Sequence, residues 1–399
     1  MKKEIVITGL GAVTPLGVGV DEFWKNLTAG KCAIDEIKSI DVTNLPVKNA
    51  GQVWDFNPKD YLPTKLCLDM EPYMQYAYIA AEEAIKQSGL ETHSERVGIV
   101  MGSALSGIGI IDKTGVDFAV KGRGASPKFL VKAMGNIAAA QLSINYGIQG
   151  PDMTVSTACS SGGDAITLAS LMIRSGMADA MVVMAGEAAV TATLVQSLCK
   201  TGALSKTGQS LPFDKNRNGF VLGEGGGCLI LESAEHAKER GANVIAKLLG
   251  VANNTDAYNT VSPHPDGLGA ITCMRLALED AGIAPEDVDY INAHGTATHV
   301  GDIAETRAID EVFGKENVFV SSTKGATGHM MGAGGIVELI TCIKALETGI
   351  LPVNVGMTEQ DEECDLKIVT EANKGQEIHV AMSNALGFGG QNSSIIVGK

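Results

Sequence analysis

The chain has 399 residues, 45% of them apolar and 19% charged, enough to bury a large core and, as a prior, to form two or three domains. Its 46 acidic residues outnumber 31 basic ones, for a formal net charge of -15, and no Lys/Arg cluster offsets that excess, which argues against a phosphate-driven nucleic-acid binder. The eight cysteines are irregularly spaced, with neither a CxxC pair nor zinc-ligand spacing, so reduced thiols in a cytoplasmic protein are expected, with no metal.

The opening MKKEIVITGLGAVTPLGVGV has the outline of a signal peptide, but Glu4 follows the lysines, Pro15 and several glycines break the apolar run, and no small-x-small cleavage site follows. It reads as a buried strand, residues 4–9, and a loop. GLGAVT at 9–14 half-matches a dinucleotide fingerprint, yet it lacks the third glycine and runs into Pro15 instead of a helix, which disfavours a Rossmann dehydrogenase. Further strands are predicted at 96–102, 152–157, 180–186, 228–232, 288–294, 318–323 and 379–385. Between the last two, Ile336, Leu339, Ile340, Ile343 and Leu346 follow a helical period. Short apolar strands alternating with amphipathic helices predict an α/β fold whose sheets are covered on both faces. GANVIAKLLG, 241–250, opens a second unit, giving halves at 1–250 and 251–399 with a hint of internal duplication. No apolar stretch reaches the roughly 18 residues of a membrane span.

Within TVSTACSSGGDAITLASLMIRSG, a strand ends at a tight turn, Ala158–Cys159, before a helix predicted over 160–175. A cysteine is ordinarily a small buried hydrophobe. At a helix N-terminus, however, unpaired N–H groups and the helix dipole favour the thiolate, and Ser160, Ser161, Gly162 and Gly163 would leave room for a ligand. Cys159 is therefore the candidate nucleophile. Of seven histidines, His294 and His329 also sit in Gly/Thr-rich turns between a strand and a helix, where α/β proteins place chemistry. His93, His236 and His379 lack that setting. Lys324 and Glu338 flank His329, and a carboxylate on the buried side of that helix would need a cationic or hydrogen-bonding partner. GEGGG (223–227) and GFGG (387–390) lack a phosphate-loop ending and suit close backbone approach.

Five stretches in order, VSTACSSG around Cys159, PFDKNRNGFVLGEGGG (212–227), NAHGTATHVGDIAE (292–305), STKGATGHMMGAGGIVE (322–338) and NALGFGGQN (384–392), together resemble the β-ketoacyl-[acyl carrier protein] synthases, nearest the type II elongating condensing enzymes. The likeness runs from ITGLGAVTPLG to the C-terminus. It implies a thiolase-like fold of two similar halves in a five-layered αβαβα arrangement, assembled as a homodimer. By that resemblance Cys159 is the acylated nucleophile, His294 and His329 are the paired active-site histidines, Lys324 supports the second of them, and Glu338 is its buried carboxylate. Phe388 matches a gating phenylalanine whose N–H joins that of Cys159 in an oxyanion hole. Leu105 and Phe129 match positions lining the acyl cavity near the dimer interface, Thr296, Thr298, Gly387 and Gly389 match substrate-binding positions, and Lys65 and Arg123 match carrier-binding ones.

The implied reaction is decarboxylative Claisen condensation of an acyl thioester with malonyl-[acyl carrier protein], in fatty-acid or polyketide/polyene biosynthesis. Substrates would ride on the phosphopantetheine arm of acyl carrier protein, without a metal or redox cofactor. A degradative thiolase would need a second cysteine near GFGG, and a chain-length factor would lack the nucleophile. A non-catalytic acyl-binding partner is disfavoured by the intact Cys-His-His set. Three departures point toward a secondary-metabolite enzyme: His299 in place of the usual proline, Leu386 where an aromatic often precedes Phe388, and His264 in SPHPDGLG. Leu68, Asp69, Gly124 and Gly202 stand where basic residues are expected, with Asp69 set to repel an acidic carrier, although Lys200 and Lys206 lie nearby.

Overall fold

The protein is described by a computed structural model covering residues 3–372 and 375–399. Its first half contains β1 (Ile5–Thr14), β2 (Val97–Gly102), β3 (Asp152–Val155), β4 (Ala180–Glu187) and β5 (Gly225–Ser233), arranged β3-β2-β4-β5-β1. The second half contains β6 (Ala246–Thr255), β7 (Tyr290–Asn292), β8 (Phe319–Ser321), β9 (Val380–Gly387) and β10 (Gln391–Gly398), arranged β8-β7-β9-β10-β6. The two orders are identical, third, second, fourth, fifth, first. In each half the first three strands along that order are mutually parallel and the remaining two join antiparallel. The suspected duplication is thus a repeated topology. The halves meet where β1 pairs antiparallel with β6 through Ile5↔Leu248, Val6↔Lys247 and Ile7↔Ala246, so the strand opening the second half begins before residue 250.

Helices complete five layers. On the outside of the first sheet, α1 (Pro72–Ser88) packs on β1, β4 and β5, and α2 (Asn136–Tyr146) on β2 and β3. Between the sheets lie α3 (Ser161–Arg174) and α6 (Gly334–Thr348), each touching strands of both halves. Beyond the second sheet, α4 (Leu268–Ala281) covers β6 and β10, with α5 (His299–Phe313) beside it. Strands covered on both faces are predominantly apolar, and β1, β2, β4 and β5 are buried at every position.

Glycine governs how closely these layers approach. A Cβ at Gly9 or Gly11 would lie 2.2 Å from the Ala84 carbonyl oxygen or 1.8 Å from that of Ala80, so GLGAVT is the bare face of β1 on which the alanine-rich α1 rests. That strand accordingly runs on to Thr14 instead of stopping at residue 9. Gly162 and Gly163 also differ from expectation. A Cβ at Gly163 would sit 2.4 Å from Ser393 Oγ, and one at Gly335 2.8 Å from the Gly163 backbone nitrogen. They leave no ligand space; they let α3 and α6 touch at their N-termini, which brings the Cys159 turn against the His329 turn. Strand β10 escaped the sequence analysis because it begins with the polar run Gln391–Ser394. Two of its buried polar side chains find partners, Asn392 Nδ2 donating to Asn254 and Asp256, and Ser394 Oγ to Asn384.

Candidate active site

Strand β3 ends at Val155, and the chain turns through Ala158, a non-glycine residue at φ 53°, into a short 3-10 turn carrying Cys159 ahead of α3. Hydroxyl groups brace the turn. Ser160 Oγ donates to the Thr157 carbonyl, Ser161 Oγ donates to the Ala158 carbonyl, and Ser161 Oγ accepts from the Thr157 N–H. His294 follows β7 in a turn clamped by Glu305 of α5, whose carboxylate accepts the N–H groups of His294 (2.7 Å) and Gly295 (2.8 Å). His329 follows β8 and the single helical turn Lys324–Thr327, its own N–H bonded to the Val221 carbonyl at 2.7 Å.

These three turns converge. Cys159 Sγ lies 3.0 Å from His329 Nε2, and the two imidazoles meet edge to face with centroids 5.3 Å apart. Phe220 also meets His329 edge to face at the same separation. All three residues are buried at the floor of a cavity of about 290 Å³ whose walls include Phe220, Thr296, Thr298, Met331, Gly387 and Phe388. Lys324 forms a buried ion pair with Glu338 directly behind the histidines. The Phe388 backbone N–H is directed at the Cys159 sulfur.

Electrostatically the centre is neutral at rest. Burial pushes both imidazoles well below their usual range, and the Lys324 ammonium adds to the effect. The expected lowering of the Cys159 pKa is overturned. Burial pushes the thiol up to about 11, against smaller downward pulls from Lys324 and the Phe388 N–H. Glu338 is likewise pushed up by burial while Lys324 pulls it down. Cys159, His294 and His329 offer ligand atoms within 4.8 Å of one another, a spacing at which a soft cation could be held. Resident metal sites, however, usually orient each histidine through its second nitrogen. Here Nδ1 of both rings is buried without a partner among the described residues.

Other predicted residues fall at varying distances from this centre. Thr296, Thr298, Gly387 and Phe388 line the cavity. Leu105 is half-buried against the apolar cluster that contains Cys159. Phe129 begins a short helix, half-buried and outside the cavity of its own chain, and Gly389, at φ 84°, ties the GFGG turn to Thr260 through its N–H instead of lining the cavity. Lys65 and Arg123 are exposed and outside it. Asp69 is not free to repel a partner: Lys128 forms an ion pair with it and holds its carboxyl below the usual range. Leu68 beside it is 62% exposed. His264 meets Tyr258 edge-on and does not line the cavity, whereas His299 lines it.

Among the buried carboxylates that carry no signal in the sequence, Glu187 and Glu305 each hold a turn of the site. Glu187, closing β4, accepts N–H groups from Ala104, Leu105 and Gly332, tying the Leu105 loop to the segment after His329. Burial pushes it up to about 7. Glu305 is similarly placed, also pushed up to about 7, and lies within the NAHGTATHVGDIAE stretch.

Two topologically repeated halves, a buried thiol and two neutral imidazoles at their junction define a thiolase-like condensing enzyme. Residues 2–237 match the model of the beta-ketoacyl synthase N-terminal domain, and 245–358 that of the C-terminal domain. The chain is 39% identical over 409 residues to 3-oxoacyl-[acyl-carrier-protein] synthase 2 of Coxiella burnetii (strain RSA 493 / Nine Mile phase I), covering 100% of this chain and 99% of that one. Among solved structures it is similar to the ishigamide ketosynthase/chain length factor (TM-score 0.93, 30% identity, 100% of both chains). It is also similar to AntDE:AntF, a type II PKS acyl-carrier protein in complex with its ketosynthase bound to the hexaketide (TM-score 0.90, 30% identity, 100% of both chains). The chain belongs to the β-ketoacyl synthase family.

Proposed function

We propose that this enzyme condenses an acyl group held on Cys159 with a malonyl unit delivered by acyl carrier protein, in fatty-acid or polyketide assembly. The 3.0 Å approach of Cys159 Sγ to His329 Nε2 is the observation that carries this proposal. The resting thiol is protonated, so attack on the acyl thioester requires its proton to leave during the transfer. That proton passes to the departing carrier thiolate as the new bond forms, with His329 Nε2, 3.0 Å from the sulfur, positioning the thiol, leaving acyl-Cys159.

Malonyl thioester then enters and loses CO2. The negative charge that develops on the thioester oxygen is met by N–H donors from His294 and His329, both held neutral and so able to donate without carrying charge of their own. The carbanion equivalent attacks the acyl-cysteine carbonyl, whose oxygen is stabilised by the N–H groups of Cys159 and Phe388. Collapse releases the β-ketoacyl carrier and a Cys159 thiolate, which takes a proton from solvent. Loss of CO2 supplies the driving force, and no metal or redox group takes part, so turnover should survive exhaustive chelation.

Several features support the assembly expected of it. Edge strand β3 pairs only with β2 among the described residues, and Met153 on it and Ile144 on the adjoining α2 are both exposed. An unpaired edge flanked by apolar side chains suits a second copy of the chain and a homodimer. Eight free cysteines fit a reducing cytoplasm. Among the described residues no helix is long and apolar enough to cross a membrane.

The test is malonyl-thioester decarboxylation by His294→Ala and His329→Ala. Each should fall by about 10²-fold or more. Wild-type rates in both variants would remove the histidines from the reaction.

A further inference from the structure

His299 stands at the start of α5, exposed, on the wall of the same cavity that ends at Cys159. Beneath it lies Arg217, whose side chain is fully buried and tied to Asp302 and Asp361. The guanidinium Nη2 donates to the His299 carbonyl oxygen at 3.1 Å and faces its ring Nδ1 at 3.4 Å. Arginine has no acceptor, so Nδ1 must accept. The ring is thereby held with its hydrogen on Nε2, on the opposite side from Arg217, where it has no partner among the described residues.

The surroundings of that N–H suit an anion. Thr298, the residue before α5, makes no side-chain cap hydrogen bond, and the first-turn N–H groups of a helix lack intrahelical acceptors. A Cβ at Gly301 would lie 2.3 Å from Thr298 Oγ1, so the glycine makes room for that hydroxyl over the first turn, and both residues line the cavity. Asp302, the acid of the first turn, is already engaged by Phe213, Ala297 and Arg217.

We infer that His299 is a specificity-determining residue, its Nε2–H binding the phosphate of the substrate's pantetheine arm where that arm enters the cavity. This rests on the acyl-transfer function proposed above. A thioester reaching Cys159 must pass this rim, and the one anionic group along the arm is its phosphate.

The experiment compares acyl-phosphopantetheine with acyl-pantetheine, which differ only in that group, by their rates of Cys159 acylation. Wild type should discriminate between them by about tenfold in kcat/KM, the size of a hydrogen bond to a charged group. His299→Asn, which can replace only Nδ1, should reduce the ratio to near one through KM, while His299→Gln, with an amide N–H in the Nε2 place, should restore it in part. Equal use of both thioesters by wild type, or equal losses on both in His299→Asn, would overturn the inference. A loss confined to acyl-coenzyme A, with the carrier-borne thioester unaffected, would assign the site to the nucleotide-linked arm and overturn the carrier's. Failure of every thioester to acylate Cys159 would instead defeat the underlying function.

Discussion

Lys324 and Glu338, fourteen positions apart, form an ion pair from which solvent is excluded, with side chains only 1% and 2% exposed. The ammonium does two things at once: it compensates a carboxylate that could not otherwise be buried, and its field adds to burial in holding His294 and His329 neutral. Removing one partner strands the other. Lys324→Met should cost about 3–5 kcal/mol in denaturant unfolding. A loss below about 1 kcal/mol would show that Glu338 is content without a cation.

The neutral histidines make stability depend on pH with a definite sign. Their folded pKa values lie below the ordinary 6.5, so below that pH the unfolded chain binds protons that the folded chain refuses. Stability should therefore fall as the pH drops beneath about 6.5, with each ring contributing up to about 1.4 kcal/mol per pH unit. Nearby Asp302 and Glu305, pushed up to about 6 and about 7, act in the opposite sense but are common to variants that keep them. His294→Gln/His329→Gln should consequently show a shallower acid loss than wild type. Parallel curves would mean that the rings are protonated in the folded protein.

Alkylation should report the state of the thiol. With its pKa up at about 11, Cys159 should react slowly with iodoacetamide at neutral pH and accelerate toward alkaline pH, as followed by peptide mapping. An inflection below pH 8 would mean that the helix dipole outweighs burial after all.

Leu105 packs against the cluster around Cys159 while Glu187 holds its backbone N–H. Leu105→Ala should open apolar volume there and lengthen the acyl chains accepted, read from product length. An unchanged product profile in a stably folded variant would detach this residue from the acyl cavity.

Much of the site was legible because its signals are local. Cys159, His294 and His329 each lie in a small-residue turn between a strand and a helix, and the fold brings those turns together. What the sequence obscured depends on burial. The direction of the Cys159 shift follows from how deeply the thiol is enclosed by distant segments, which no local pattern records. Glu187 and Glu305 read as ordinary charges until the backbone N–H groups they accept are seen. Gly162 and Gly163 resemble ligand space in the sequence because the partners that demand glycine, Ser393 and Gly335, come from some 170 to 230 residues further along the chain. Asp69 looked repulsive for the same reason, its counter-ion Lys128 being remote in sequence.

The central claim is that Cys159 carries the acyl group. Intact-mass analysis with peptide mapping, after incubation with a panel of acyl carrier thioesters, tests it most directly. Wild type should gain one acyl mass located on Cys159, and Cys159→Ala, folded by circular dichroism, should gain none. An acyl mass retained by Cys159→Ala, or mapped in wild type to another cysteine, would contradict the account.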